Sequence, residues 1–364
     1  MKLQVTQANL NRALSTVGRV AGGRTSLPVL SNVLLSTDGN QLKLAATNLE
    51  IAITQHIGAK VETQGSITVP ARLMSDFVSS LPDSNINLEV VENKLVISTE
   101  NYNSTINGVV ADEFPSIPTV EAKKPLTFTG AELKGAISQV LVAASSDEAR
   151  PVLTGVYLYN FEGSLYFVAT DSYRLAERKF ASFDQDLAMI IPSKSLSEVQ
   201  RIINDDTNVE FHFDDSQIMV KFDETELVSK LIDGKFPAYR QLIPDQSEVT
   251  FTIACNELTS ITKVAALFAR ESAGSITLEV SSEQQTVSIA SVASQVGKNT
   301  SQASAKVTGD GSVTLNSRFL LDALNAVNDP EITFRFSGNT NPCIVQPTGK
   351  EKDLYKHIVM PLKA

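Results

Sequence analysis

The tightest constraint on this chain is a segment that occurs twice. Residues Arg150 to Leu175, RPVLTGVYLYNFEGSLYFVATDSYRL, have an earlier counterpart at Leu27 to Asn48, LPVLSNVLLSTDGNQLKLAATN. Pro28-Val29-Leu30 recurs as Pro151-Val152-Leu153, Val33 as Val156, Leu35 as Leu158, Leu42 as Leu165 and Ala46-Thr47 as Ala169-Thr170. Every pair is separated by the same 123 residues, as in 151 less 28. A shared offset of this kind marks internal duplication, and three such units account for a chain of 364 residues. That length also exceeds what one ordinary core holds.

Hydrophobic periodicity gives each unit the same order. Residues 8–21 place Leu10, Leu14, Val17 and Val20 at helical spacing, with Gly22-Gly23 as a stop. From Pro28 onward short alternating strands follow, with Asp38-Gly39-Asn40 as turn chemistry. Pro70 opens a second helix whose expected stripe is Leu73, Phe77 and Leu81. A hairpin turning near Glu92-Asn93 and a linker around Phe114-Pro115 complete the unit. The second round has helices over 131–145 and 191–205, a hairpin at Asp214-Asp215-Ser216 and Phe236-Pro237 in the linker position. The third is eroded but retains helices over 256–272 and 315–329. Hairpin-length turns and the lack of βαβ alternation make the sheets antiparallel. The expected fold is α+β: three tandem domains, each of two helices and an antiparallel sheet, over 1–120, 125–245 and 249–364.

Chemistry-bearing motifs do not appear. No phosphate-binding glycine loop, dinucleotide fingerprint or nucleophile elbow is present. His56, His212 and His357 fall in three different units, so metal ligation would need long-range convergence, and ordinary strand positions explain them more simply. Asp205-Asp206 and Asp214-Asp215 sit at expected turns. Cys255 precedes a helix, where a thiol can be activated, but a small core residue is the simpler reading. The chain is therefore expected not to be an enzyme, and to hold no cofactor or metal. Two cysteines, an opening without an apolar signal segment, and no membrane-length apolar run point to the cytoplasm.

Charge is distributed unevenly. The formal net charge is −10, yet residues 1–37 contain Lys2, Arg12, Arg19 and Arg24 and no acid. The helical stretches carry ten positives: Arg12, Arg19, Arg24, Arg72, Lys134, Lys194, Arg201, Lys263, Arg270 and Arg318. Against these stand the acids Asp76, Glu132, Glu198, Glu257, Glu271 and Asp322. The helices therefore hold an excess of cations inside an acidic protein. Helices sharing one face would attract backbone phosphates without base readout. Side chains extended over solvated faces are the alternative.

The segments MKLQVTQANLNRAL, GGRTSLPVLSNVLL, VPARLMSDFVSSLP, FVATDSYRLA, GKFPAYRQLIP and HIVMPLKA together resemble the bacterial sliding clamp, the beta subunit of DNA polymerase III. The resemblance spans the whole chain. It implies a DNA clamp fold and a head-to-tail homodimeric ring around double-stranded DNA, with helices lining the hole. Arg24 matches a DNA-contacting family position. Together with Arg12, Arg19, Arg72, Lys194 and Arg201 it forms the expected DNA-binding set. Another DNA-proximal loop reads Ser146-Asp147-Glu148 here, acidic where some members carry polar and aromatic residues. The resemblance also implies a pocket for short peptide motifs of the polymerase III alpha subunit, the clamp loader, other polymerases, ligase and mismatch-repair proteins. Its residues would be Leu153, Thr170, Ser172, Tyr173, Arg174 and Leu175, then Pro237, Gln241 and Leu242, then Val359, Met360, Pro361 and Leu362. Gln241 stands where some members carry Arg. Ile106, Leu267 and Phe268 match positions at the dimer interface.

Two other readings stay open on the residues. A tandem-repeat adapter would bind peptides, remain monomeric and never encircle DNA. An enzyme assembled from groups such as Asp171 and His212 would need a strongly perturbed acid or base in a cleft.

Overall fold

A computed structural model describes residues 1–22, 27–120, 125–183, 185–293 and 297–362. Among these are six α-helices: α1 (Gln7–Val17), α2 (Ala71–Ser80), α3 (Gly130–Leu141), α4 (Ser193–Ile202), α5 (Cys255–Phe268) and α6 (Ser317–Asn325). Local chemistry sets their starts. Thr6 accepts from the Asn9 N–H, and Asn316 from the Arg318 N–H. At α3, Thr129 and Glu132 form a reciprocal capping box: the Thr129 N–H donates to Glu132 Oε2 at 3.3 Å and the Glu132 N–H to Thr129 Oγ1 at 3.4 Å.

One hydrogen bond recurs three times and ties the two halves of each repeat. The N–H of the first residue of α1, α3 and α5 donates to a carbonyl just past the repeat's second helix. The pairs are Gln7 to Ser84 (2.9 Å), Gly130 to Thr207 (2.7 Å) and Cys255 to Pro330 (2.8 Å). These donors are among the orphan N–H groups of a helix start, so the bond satisfies a group that would otherwise be stranded. The strand before each helix then pairs antiparallel with the strand after that loop: Lys2–Thr6 with Asn85–Val91, Leu126–Thr129 with Asn208–Phe213, and Val249–Ala254 with Glu331–Phe336.

The chain forms two compact units, one of Met1–Leu133 with Glu198–Leu231, the other of Lys134–Ser197 with Ile232–Ala364. The division falls inside the second repeat because sheets run across repeat boundaries. In the first unit, Thr225–Lys230 of the second repeat pairs with Ile51–Gly58 of the first, which completes an eight-stranded sheet. In the second unit, Tyr355–Val359 of the third repeat pairs with Arg174–Ser182 of the second, within a nine-stranded sheet. Each unit also has a smaller sheet, of five and four strands. The five-stranded sheet ends on Asn103–Asn107 and the four-stranded one on Gly297–Ser304.

Several local expectations change. Pro28–Ser31 and Pro151–Leu153 are 3₁₀ turns rather than strand starts, with proline at the position where a missing N–H costs nothing. α1 ends at Val17, capped through the Gly18 N–H to Leu14, so Val20 is buried beyond the helix. On α2 the core stripe is Ala71, Met74 and Val78, whereas Leu73 is 53% exposed. Of the expected stripe, Leu81 is buried just past the helix and Phe77 is half-buried; two apolar stripes lie side by side here, and sequence periodicity does not distinguish them.

Gly130 occupies a position without room for a side chain, since a Cβ there would lie 1.8 Å from the Asn204 carbonyl oxygen. Gly130→Ala is expected to destabilise the protein by about 1–3 kcal/mol through forced backbone displacement. Gly135→Ala, a helical site with open space around it, should be neutral or slightly stabilising. Paired thermal melts check both.

Candidate partner pocket and nucleic-acid interface

The segment Thr170–Arg174 is a tight turn between the strands Ser164–Thr170 and Arg174–Ser182. Thr170 Oγ1 donates to the Arg174 carbonyl at 2.6 Å and accepts from the Ser172 N–H at 3.1 Å. Asp171 Oδ1 accepts from the N–H groups of Tyr173 and Arg174, both at 2.9 Å. This leaves Ser172 at φ 77°, in the left-handed region, and turns the Tyr173 ring outward at 64% exposure. Asn48 stands at the Asp171 position of the earlier copy, so the Ser-Tyr-Arg-Leu tetrapeptide is a re-dressed turn rather than an insertion.

Arg174 anchors the site. Its side chain is 9% exposed, with Nε 3.1 Å from Asp171 Oδ2 and Nη1 2.5 Å from Asp322 Oδ2 on α6. Its guanidinium also lies 4.6 Å from the centre of the Phe319 ring, against which Tyr173 stacks. Two acids and an aromatic face compensate a cation that burial alone would penalise. Beside it Arg174 pairs with Val359, the Met360 N–H donates to the Tyr173 carbonyl at 2.8 Å, and the Leu362 N–H to Thr314 at 2.8 Å. The tail Met360-Pro361-Leu362 is thereby held on both sides while its side chains stay half-buried. Leu153, Thr170, Leu175 and Val359 lie beneath the surface, with Val359 fully buried. Of the four tail residues expected to close the pocket from the C-terminus, Val359 has its side chain in the core and meets Arg174 through strand pairing.

The wall of Pro237, Gln241 and Leu242 is built on a 3₁₀ turn, Arg240–Leu242. All three residues are exposed, Leu242 by 58%. An aromatic clasp that sequence reasoning missed fixes this turn. The Tyr239 hydroxyl donates to Glu177 and lies 2.5 Å from the Tyr159 hydroxyl, which accepts from Arg240 Nε at 2.6 Å. Burial, reinforced by Glu177, pushes the Tyr239 hydroxyl far above its ordinary pKa, so it stays a donor. The Arg240 guanidinium covers Phe161 at 4.0 Å and Tyr166 at 4.4 Å. The readable signal was the alternation Tyr157, Tyr159, Phe161, which puts three rings on one sheet face.

Under the same sheet His357 is fully buried. The Tyr355 hydroxyl donates to the Gln139 carbonyl at 3.2 Å and lies 2.8 Å from His357 Nδ1, while Nε2 has no partner among the described residues. Burial, with Arg174 nearby, pushes its pKa down to about 3, so it is a neutral core residue. Burial raises both thiols: Cys343 lies in the core and is pushed up to about 12, whereas Cys255 is half-buried at the start of α5. Among the described residues no cluster of three or more His, Cys, Asp or Glu side chains could hold a metal ion.

The cations are placed as follows. Arg12 and Arg19 are exposed on α1 and just past it, and Arg72 is exposed on α2. Arg19 and Arg72 flank a groove of about 530 Å³ between these helices. Arg72 lies 3.8 Å from Asp76, Arg201 3.0 Å from Glu198, and Lys194 3.3 Å from Glu148 of the acidic loop. Exposed pairs of this kind contribute little and exchange readily with other anions. Arg24 lies outside the described residues. Of the dimer candidates, Leu267 is 57% exposed and Phe268 half-buried, but Ile106 is only 6% exposed because it packs inward from the edge strand Asn103–Asn107.

Tandem repeats of two helices and antiparallel strands, joined by sheets that cross repeat boundaries, define the sliding-clamp fold. Three family profiles match in succession: the N-terminal domain of the DNA polymerase III beta subunit over residues 1–118, the central domain over 127–238 and the C-terminal domain over 240–363. The chain is 34% identical to the beta sliding clamp of Synechocystis and 32% to that of Synechococcus elongatus, covering all of this chain and 99% of each relative. The solved sliding clamp of Bacillus subtilis superposes with a TM-score of 0.95 at 26% identity, over all of this chain and 99% of that one. A Pseudomonas aeruginosa clamp bound to griselimycin superposes at 0.94 and 26%, over the full length of both chains. The chain belongs to the DNA polymerase III beta subunit family, the bacterial sliding clamps.

Two outcomes follow from the buried groups. Arg174→Ala, which strands Asp171 and Asp322, should lower stability by about 3 kcal/mol, measured by denaturant unfolding. For His357 the unfolded chain takes up a proton near pH 6.5 and the folded chain only near pH 3. Stability is therefore unaffected by this group above about pH 6.5 and falls as pH drops from there toward 3. Melting temperatures of wild type and His357→Gln across that window should converge as pH falls, because only wild type carries this penalty.

Proposed function

We propose that two copies of this chain close head to tail into a ring that encircles double-stranded DNA and tethers a polymerase and other replication and repair proteins by short peptides. The carrying observation is the pattern of strand pairing. The last strand of the second repeat pairs with the first repeat, and that of the third pairs with the second. By the same rule Asn103–Asn107, last in the first repeat, should pair with Gly297–Ser304 in a third repeat, and both strands lie at sheet edges. Open edges are association templates, and a head-to-tail contact would satisfy these two edges on both chains. The repeats at 1–120, 125–245 and 249–364, three from each of two chains, would be the ring's six domains.

Arg12, Arg19, Arg24, Arg72, Lys194 and Arg201 would line the hole as a diffuse cationic surface, suited to sliding because it reads phosphates and not bases. The Glu148 partner of Lys194 lowers the pull at that point. The slot between Leu175, the Pro237–Leu242 wall and the Met360–Leu362 tail would receive apolar anchors from the polymerase III alpha subunit, the clamp loader, other polymerases, ligase and mismatch-repair proteins. Met360, unbranched and adaptable, can move aside for them. The role is mechanical rather than catalytic and is exercised in the cytoplasm.

The test is topological. Protein loaded on nicked circular plasmid by clamp loader and ATP should stay bound at moderate salt and be lost when the DNA is linearised. Equal retention on both forms would mean surface binding, and a monomer retained on neither would favour a peptide-binding adapter. Leu267→Asp should move the protein toward monomer in analytical ultracentrifugation and abolish retention on the circle, while its far-UV circular dichroism spectrum stays that of the folded chain.

A further inference from the structure

The turn beneath the partner slot has a structural twin in the first repeat. Thr47 Oγ1 donates to the Ile51 carbonyl at 3.0 Å and accepts from the Leu49 N–H at 3.1 Å, and Asn48 Oδ1 accepts from the N–H groups of Glu50 (3.0 Å) and Ile51 (2.8 Å). Leu49 has φ 74°, as Ser172 has 77°. The neighbouring strand is held alike: Ile51 pairs with Ser229 and the Lys230 N–H donates to the Glu50 carbonyl, just as Arg174 pairs with Val359 and the Met360 N–H donates to Tyr173. Phe114-Pro115 arrives where Phe236-Pro237 does, and both phenylalanines are buried. A cavity of about 260 Å³ remains there, lined by Leu49, Ile51, Pro115, Ile117, Val228 and Lys230 among others.

The two sites differ in what the linker does next. Six residues after Phe236 stands Leu242, 58% exposed; six after Phe114 stands Val120, 2% exposed. Val120 forms a cluster with Met219 and Val228, and Ile117 packs against it. Val228 is the counterpart of Ile358, which floors the second-repeat slot beside Leu175. Both floor residues are buried, Val228 at 6% and Ile358 at 4% exposure, but the residue six past the linker phenylalanine is packed onto Val228 in the first repeat and exposed in the second.

We infer that the first repeat carries a second, closed version of the peptide slot, occupied by this chain's own Ile117–Val120 segment acting as a resident ligand, so that each chain offers one open slot. This rests on the reading of the second-repeat slot as a peptide site. Burying two apolar side chains next to a preformed floor, with no association entropy to overcome, outcompetes a peptide in solution.

The experiment uses the full chain and a short synthetic peptide with adjacent Leu and Phe anchors and a photo-crosslinking group. Wild type should bind one peptide per chain by calorimetry and crosslink near Leu175 and Met360. The Ile117→Ser, Val120→Ser variant should bind two, with new crosslinks near Leu49 and Ile51. A folded variant that still binds one peptide at Leu175 and Met360 overturns the inference, as does a wild type that already crosslinks at Leu49. Should the serine pair fail to melt cooperatively, Ile117→Ala, Val120→Ala is judged by the same two criteria. No binding by wild type would refute the peptide site itself, a result distinct from either.

Discussion

The structure depends on one device: the last strand of a repeat completes the sheet of the repeat before it. Thr225–Lys230 joins Ile51–Gly58, and Tyr355–Val359 joins Arg174–Ser182. A strand edge left unpaired carries a row of donors and acceptors that demand partners, so the junctions between repeats are where backbone satisfaction is decided. The compact units of the chain therefore cut across the duplicated segments. The same device brings the Met360–Leu362 tail to the turn that carries Arg174.

Most of the architecture was legible because it rests on short-range signals repeated three times. Leu10, Leu133 and Leu258 mark the first helices, and all three are fully buried. The hairpin turns at Gly39, Glu92 and Asp214 fall where turn chemistry put them, and at Asp214 the Ser216 N–H holds the carboxyl below its usual pKa. The α2 stripe was not legible, because Leu73 and Phe77 on one side and Met74 and Val78 on the other have the same periodicity. Only packing against the sheet distinguishes them.

The site was half legible. Its turn and tail stand out in sequence, yet the partners that fix them are remote. Asp322 lies 148 residues from Arg174, and Tyr159 lies 80 from Tyr239. A carboxylate on a helix or a tyrosine on a strand carries no local mark of a distant cation or hydroxyl. Ile106 and Val359 show the converse: both lie in segments expected to meet partners, but strand alternation turns their side chains into the core.

The joints between repeats are ladders of main-chain N–H and C=O groups, which every residue except proline supplies alike. Side chains along them are free to drift provided they remain compatible with a strand. A backbone can then be retained to a TM-score of 0.95 while only 26% of residues agree with the Bacillus subtilis protein. Divergence of this kind moves into the faces of the strands and the dressing of the turns, so one scaffold can change its clientele without rebuilding its frame.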